Sequence, residues 1–397
     1  MITILATPHG ARRLAGALAL GLLTLVVRPT TADAVPCTNV GVPGTPYEGF
    51  AADTRGGLGK PVYRVTHLGD KGRGSLRDAL AAGDRCIVFE VGGDVQLRSQ
   101  IYVKGGFVTV DGFTAPAPGI TLRDYGIAIW GTHGAHEVIL RGLRFRNSGQ
   151  SSCAVGRVCY DGVQIKRGAS RVVVDHVSSD QAADGALDIG PGSPGNPTRD
   201  ITVQWSILSG TRNQVLIQRA MRVSMHHNLF INGPNRNPQV DWDSTLSTTP
   251  PDTMLDFRNN LIWNFAAYGT IVRRNATANV VQNYYHATGP GALAFKVDRQ
   301  GRAHATGNYS ANDANVDAHG TETVQFPAPS VTTTDPCTAA HAIRAGAGAR
   351  GLAFSLDAVD RHYIAQMSAA LPDCSSSTAS EAVRSSGAVD TAGGSTP

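Results

Sequence analysis

Three aspartates and a set of arginines are the residues of this chain best suited to chemistry. Asp161 lies in Tyr160-Asp-Gly-Val-Gln-Ile, and Asp184 and Asp188 close the stretch Asp184-Gly-Ala-Leu-Asp188. Four apart around a glycine, those two can be brought together by a bend, and Asp175, in Val174-Asp-His, stands shortly before them. Carboxylates so close repel one another unless a cation lies between them, and hard oxygen ligands suit Ca2+. Asp-Gly-x-x-Asp is also an ordinary surface turn, and paired carboxylates can serve as a metal-free acid and base. Arg212, Arg219, Arg222 and Arg236 follow, with Pro238 fixing the loop after Arg236. Guanidinium groups grip carboxylates through a bidentate fork. A cation-holding acidic patch beside arginines therefore suits a ligand that is itself a polycarboxylate. The alternative is that the arginines pair with nearby surface carboxylates, and spacing alone does not decide.

These residues need a scaffold that stacks distant positions. Short alternating runs supply it: Val172-Val-Val-Asp-His-Val-Ser, Ile201-Thr-Val-Gln-Trp-Ser-Ile, Val223-Ser-Met-His-His-Asn-Leu, Leu255-Asp-Phe-Arg-Asn-Asn-Leu, Ala278-Asn-Val-Val-Gln-Asn-Tyr and Ala303-His-Ala-Thr-Gly-Asn-Tyr. Each has the period of a strand with one buried face. Aligning Val177, Ser206, Asn228, Asn260, Asn283 and Asn308 gives steps of 29, 22, 32, 23 and 25 residues. A floor near 22 with longer excursions is the mark of a coil with a minimum perimeter and outward loops. Four of the six aligned positions are Asn, as a ladder of stacked amides along the axis requires. Earlier coils are expected at Cys86-Ile-Val-Phe-Glu-Val, Phe107-Val-Thr-Val and Val138-Ile-Leu-Arg-Gly-Leu-Arg-Phe. The expected fold is all-β, a single-stranded right-handed parallel β-helix. Helices are expected only at residues 74–82, as an N-terminal cap, and 355–370, as a short C-terminal segment.

Composition agrees. Charged residues make up 17% of the 397, against roughly 25% in ordinary soluble proteins, and 45 are Gly, which favours many turns over long surface helices. Residues 1–34 read as an export signal, with Arg12-Arg13 before the apolar run 14–27 and Ala32-Asp-Ala34 as a cleavage site; Arg12-Arg13 also allows twin-arginine export. Removing that segment takes three positive charges and one negative, so the net charge falls from +4 by two to +2. So small a charge argues against a nucleic-acid partner, and no later stretch is long enough to span a membrane. Six cysteines follow the cleavage point, an even number suited to an oxidising compartment, and the expected pairs are Cys153–Cys159, Cys337–Cys374 and Cys37–Cys86. The expected organisation is a β-helix over 35–330, a packed segment over 331–374 and a Ser/Ala/Gly-rich tail over 375–397, which has no apolar period.

Residues about 46–325 resemble the pectate lyase family. The resemblance is carried by Glu48-Gly-Phe-Ala-Ala-Asp-Thr-Arg-Gly-Gly, Gly72-Arg-Gly-Ser-Leu-Arg-Asp-Ala-Leu, Ile87-Val-Phe-Glu-Val-Gly-Gly, Val174-Asp-His176, Asp184-Gly-Ala-Leu-Asp188, Met225-His-His-Asn-Leu-Phe and Arg236-Asn-Pro238, in the family's order. It implies a secreted, monomeric, Ca2+-dependent enzyme that cleaves polygalacturonate, an acidic plant cell-wall polysaccharide, by β-elimination. Asp161, Asp184 and Asp188 match the family's calcium ligands, Asp175 is a ligand or a neighbour of one, and Arg236 matches the catalytic arginine of R-x-P-x-x-R. Two positions depart: Asn213 stands where the family has a substrate-binding lysine, and Asp241 where it has the second arginine. Arg212, and with it Arg219, is expected to supply charge toward the substrate beside Asn213 and Asp241. The rival readings are a glycoside hydrolase using Asp184 with Asp188 or Asp241 with Asp243, and a non-catalytic polysaccharide-binding β-helix.

Overall fold

The computed structural model describes residues 37–41, 46–147, 160–182, 184–193, 196–211, 213–242, 250–310, 313, 315–367 and 371. Their strands form three parallel sheets of ten, eight and nine strands, wound as a right-handed β-solenoid of about nine coils. Each run read above as one strand is in fact two. The run at Val172 splits into Ser170–Asp175 of the first sheet and Ser178–Asp180 of the third, with His176 between them in the left-handed region at φ 49°. Trp205, His227, Asn259 and Gln282 repeat that conformation one coil at a time, at φ 47–55°. A non-glycine residue there costs roughly 1–2 kcal/mol. Stacking at the bends offsets part of it, since the rings of Trp205 and His227 lie 4.5 Å apart and nearly parallel.

The core follows from like stacking on like. Val172, Ile201, Val223, Leu255 and Ala278 occupy one register column of the first sheet, and all are fully buried. Just past the bends runs the amide ladder. The Asn260 Oδ1 accepts from the backbone N–H and the Nδ2 of Asn228, both at 3.0 Å. Asn283 does the same for Asn260, and Asn308 for Asn283, at 2.9–3.1 Å. Asp317 closes the ladder by accepting from Asn308. Each amide also donates inward to a carbonyl, Asn260 to that of Met225 at 2.9 Å. Removing one rung strands several buried groups at once, each worth roughly 1 kcal/mol or more. Asn260→Ala should therefore lower unfolding stability by about 3 kcal/mol, visible as a shifted denaturant midpoint; a midpoint equal to wild type would deny the ladder its role.

Helix α1 (Leu76–Ala79) packs on the first strand, capped by Ser75, whose Oγ accepts from the Asp78 N–H. It is shorter than the expected 74–82, because the chain turns at 81–84 to enter the strand Arg85–Phe89. Sequence reading passed over α2 (Pro336–Gly346), although Asp335 as N-cap and Pro336 at the first position announce it. Helices α2 and α3 (Ala358–Met367) cover the third sheet, burying Ile207, Leu229, Leu261 and Trp263 against Ala340, Ile343, Tyr363 and Met367. Arg146 fastens α3 through Asp357 at 3.0 Å and Asp360 at 2.6 Å. The Cys37–Cys86 disulfide is present. Cys337 is disulfide-bonded, while Cys153, Cys159 and Cys374 lie outside the described residues. No helix among the described residues is long and apolar enough to cross a membrane.

Candidate metal centre and neighbouring arginines

The second sheet gathers the acidic and basic residues. Its strands are Ile101–Tyr102, Ile127–Trp130, Val163–Lys166, Gly185–Ile189, Asn213–Gln218, Gln239–Asp241, Tyr268–Arg273 and Leu293–Asp298. Asp161 and Asp184 precede consecutive strands, and Asp188 lies within the second of these, beside Gln164 and Leu216. One oxygen from each of Asp161, Asp184 and Asp188 lies within 4.8 Å of the others. Backbone donors aim two of them: Asp161 Oδ1 accepts from the Gly185 N–H at 2.9 Å, and Asp188 Oδ1 from the Leu216 N–H at 3.2 Å. Gly185 makes the approach possible, because a Cβ there would stand 2.9 Å from Asp188 Oδ1 and 3.2 Å from Asp161 Oδ1. The glycine of Asp-Gly-x-x-Asp, the first residue of its strand, thus leaves the two carboxylates room to converge.

The charge balance is incomplete. Burial, reinforced by the charge of Asp188, pushes the Asp161 carboxyl up to about 7, and burial likewise raises Asp188. Lys166, which sequence reading missed, places its Nζ 3.4 Å from both Asp161 Oδ2 and Asp188 Oδ2. Burial works against that ammonium, but the two carboxylates outweigh it and hold it protonated. One ammonium against three carboxylates leaves the cluster net negative. Hard oxygen donors, converging and undercompensated, fit a divalent cation such as Ca2+. Cation binding has to expel the protons that burial favours on Asp161 and Asp188, so apparent affinity should fall by at least about tenfold per unit as pH drops below about 7. Calorimetric titration with Ca2+ across pH 5–9 tests this, and a flat profile would contradict it.

Asp175 does not join the cluster. It ends a strand of the first sheet, fully buried, with Oδ1 2.6 Å from His176 Nδ1 and accepting from Gln204 Nε2 at 3.1 Å. Each coil crosses three sheets, so proximity in sequence does not put Asp175 on the face of Asp184. Arg222 is likewise elsewhere, on the first sheet, ion-paired with Asp200. Arg212 and Asp243 lie outside the described residues. Arg219 is exposed just beyond the strand Asn213–Gln218, and its N–H donates to the Asp241 carbonyl at 3.0 Å.

Arg236 sits in the turn leading into the strand Gln239–Asp241, at φ 59°, its carbonyl accepting from the Val215 N–H at 2.9 Å. Among the described residues no group hydrogen-bonds or ion-pairs with its guanidinium. Gly185, Asn213 and Asn235 are paired across consecutive coils. Arg236 therefore stands about two coils, roughly 10 Å, along the axis from the carboxylates. Between them Asn213 donates from Nδ2 to Asp184 Oδ1 at 3.3 Å, an amide where a cation was expected. Asp241 is buried and bonded to Arg273, with Nε to Oδ1 at 2.8 Å, and to Gln239 Nε2 at 3.0 Å. So engaged, it is a poor candidate for a hydrolytic acid or base. Tyr268 lies beside them, its hydroxyl donating to Gln239 Oε1 at 3.1 Å. Lys166, Tyr268 and Arg273 were all missed, and strand alternation past Gln164 and Ile271 is the signal that would have placed Lys166 and Arg273 on the outer face.

No protein-family model matches the chain. A protein named probable pectate lyase C from Aspergillus terreus is 33% identical over 278 residues, covering 69% of this chain and 61% of the relative. Its namesake from Neosartorya fischeri is 36% identical over 255 residues, covering 62% and 54%. The chain thus spans only about three-fifths, or somewhat more than half, of the length of these relatives. Among solved structures, a pectate lyase from Bacillus sp. N165 in complex with trigalacturonate superposes with a TM-score of 0.55 at 16% identity, over 76% of this chain and 98% of that one, a likeness of fold.

Proposed function

The chain is a relative of the pectate lyases in sequence and in fold, and on that premise we propose that it cleaves polygalacturonate by calcium-assisted β-elimination. The observation that carries this reading is the placement, about two coils apart along one sheet, of three converging carboxylates and an arginine whose guanidinium has no partner among the described residues. Asp161, Asp184 and Asp188 would hold the cation. When bound, it neutralises the substrate carboxylate next to carbon 5, whose proton is otherwise poorly acidic. Arg236 takes that proton. The carbon–hydrogen electron pair becomes the carbon 4–carbon 5 double bond, and the glycosidic oxygen leaves carbon 4 with the bonding pair, to be protonated by water. A guanidinium base has to shed its own tightly held proton first, so activity should favour alkaline pH. The Cys37–Cys86 disulfide and the leader-like residues 1–34 support an extracellular place of action. The negative charge of Asp241 and the neutral Asn213 favour one rival, a β-helix that binds polyuronate without turnover. Incubation with polygalacturonate and with methylated pectin, with Ca2+ or with chelator, decides between them. Ultraviolet absorbance of an unsaturated product that needs Ca2+ supports the lyase, and retained binding without absorbance supports the binder.

A further inference from the structure

We infer that Arg273 binds a carboxylate of the anionic chain a few sugars beyond the one at Arg236, with Asp241 as its positioning residue. This rests on the reading of this sheet face as a polyuronate site. Asp241 and Arg273 are register partners on adjacent strands of the second sheet. The grip is side-on, with Arg273 Nε to Asp241 Oδ1 at 2.8 Å and Nη2 to Oδ2 at 3.4 Å. Gln239 Nε2 at 3.0 Å and Arg274 Nη1 at 3.5 Å also address that carboxylate, which is only 2% exposed and has little capacity left for a ligand. Arg273 is different. A guanidinium carries five N–H donors, and two of these reach Asp241. The others have no protein hydrogen-bond partner among the described residues, and the side chain keeps 22% of its surface. Two guanidinium groups on one carboxylate leave a net charge of +1. Asp298, the next register partner, is shared with Lys296 at 3.9 Å and adds no net negative charge to the group.

A second observation ties Arg273 to the reacting region. Tyr268 begins the strand that Arg273 ends, and its phenol lies within electrostatic reach of both Arg236 and Arg273. Arg273 pairs with Asp241, five residues past Arg236, so it stands roughly 15 Å from Arg236 along the strand direction and one coil over. A chain bearing one carboxylate per sugar would meet it as a second fixed cation a few sugars beyond Arg236. The negative residue at 241 thus orients a cation from the following coil.

The test uses the full chain and two readouts. Affinity electrophoresis through polygalacturonate and through fully methyl-esterified pectin measures binding, and steady-state kinetics on polygalacturonate separates KM from kcat. Arg273→Ala should weaken binding to polygalacturonate about 10- to 100-fold, the range of a charge-assisted contact, with the loss carried by KM and kcat within about twofold. Binding to the esterified polymer should not change. Arg273→Lys should recover part of the affinity, and Asp241→Asn, which keeps the arginine but loosens its orientation, should raise KM to an intermediate value. If Arg273→Ala does not fold, Arg273→Gln carries the same expectation. Wild-type affinity in the alanine or glutamine variant would overturn the inference, whatever the melting temperature, and reduce the pair to a strap between coils; elimination by the wild type would be untouched by that result. If the wild type binds without cleaving, the binding comparison still decides Arg273 while the elimination reading fails. If it does not bind polygalacturonate, both fall.

Discussion

Arg236→Lys is expected to lose about 10²- to 10⁴-fold in kcat, the contribution of a positioned general base, while Ca2+ and polygalacturonate still bind. The substitution keeps one positive charge but withdraws the basic atom from the end of a planar fork and gives up that fork. The carboxylate cluster lies about two coils away and shares no bond with Arg236, so metal affinity has no reason to change. If Arg236 only clamps a substrate carboxylate, the lysine variant would keep most of its turnover and show a raised KM, the pattern of lost uniform binding. That outcome, together with an acid pH optimum for the wild type, would remove Arg236 as the base.

Asp184→Ala and Asp188→Ala should each weaken apparent Ca2+ affinity by at least about 100-fold, more than the loss of an outer-shell partner costs, and high Ca2+ should restore part of the activity. Each deletes one hard oxygen and one negative charge from three groups that converge within 4.8 Å. Asp188 should be the more damaging of the two, because its removal also strands the Leu216 N–H that it accepts from. Melting curves should stay close to wild type, since the hydrophobic core is assembled from inward-facing aliphatic columns that the cluster does not touch. A fall in rate that is equal at every Ca2+ concentration would mean that these carboxylates act on the substrate directly, as the hydrolase reading requires.

Local alternation made the solenoid legible, and repetition made its period legible. The aligned Asn228, Asn260, Asn283 and Asn308 form the ladder that their spacing implied. The trio Asp161, Asp184 and Asp188 was readable through the family resemblance and through two aspartates four apart around a glycine, and the structure brings one oxygen of each within 4.8 Å of the others. Asp175 misled because a coil turns through three sheets, and the left-handed bend at His176 sends the residues on either side to different faces. The same bends hide from one-dimensional reading that a strand-like run is two strands. Alternation could place Lys166 and Arg273 on the outer face, but not name their partners on the next or preceding coil, Asp188 for one and Asp241 for the other. Helix α2 has little apolar period to read, and its signal is a cap followed by proline.

The proposed elimination leaves its signature in fragment masses, which mass spectrometry reads from a short oligogalacturonate cut in the presence of Ca2+. Elimination adds no water, so the two fragments should sum to the mass of the parent, the fragment from the non-reducing side being saturated and its partner unsaturated and lighter by one water than the hydrolytic product. None should form after chelation, although circular dichroism should still report a folded β-solenoid. Fragments that together exceed the parent by one water, formed with or without Ca2+, would contradict the account.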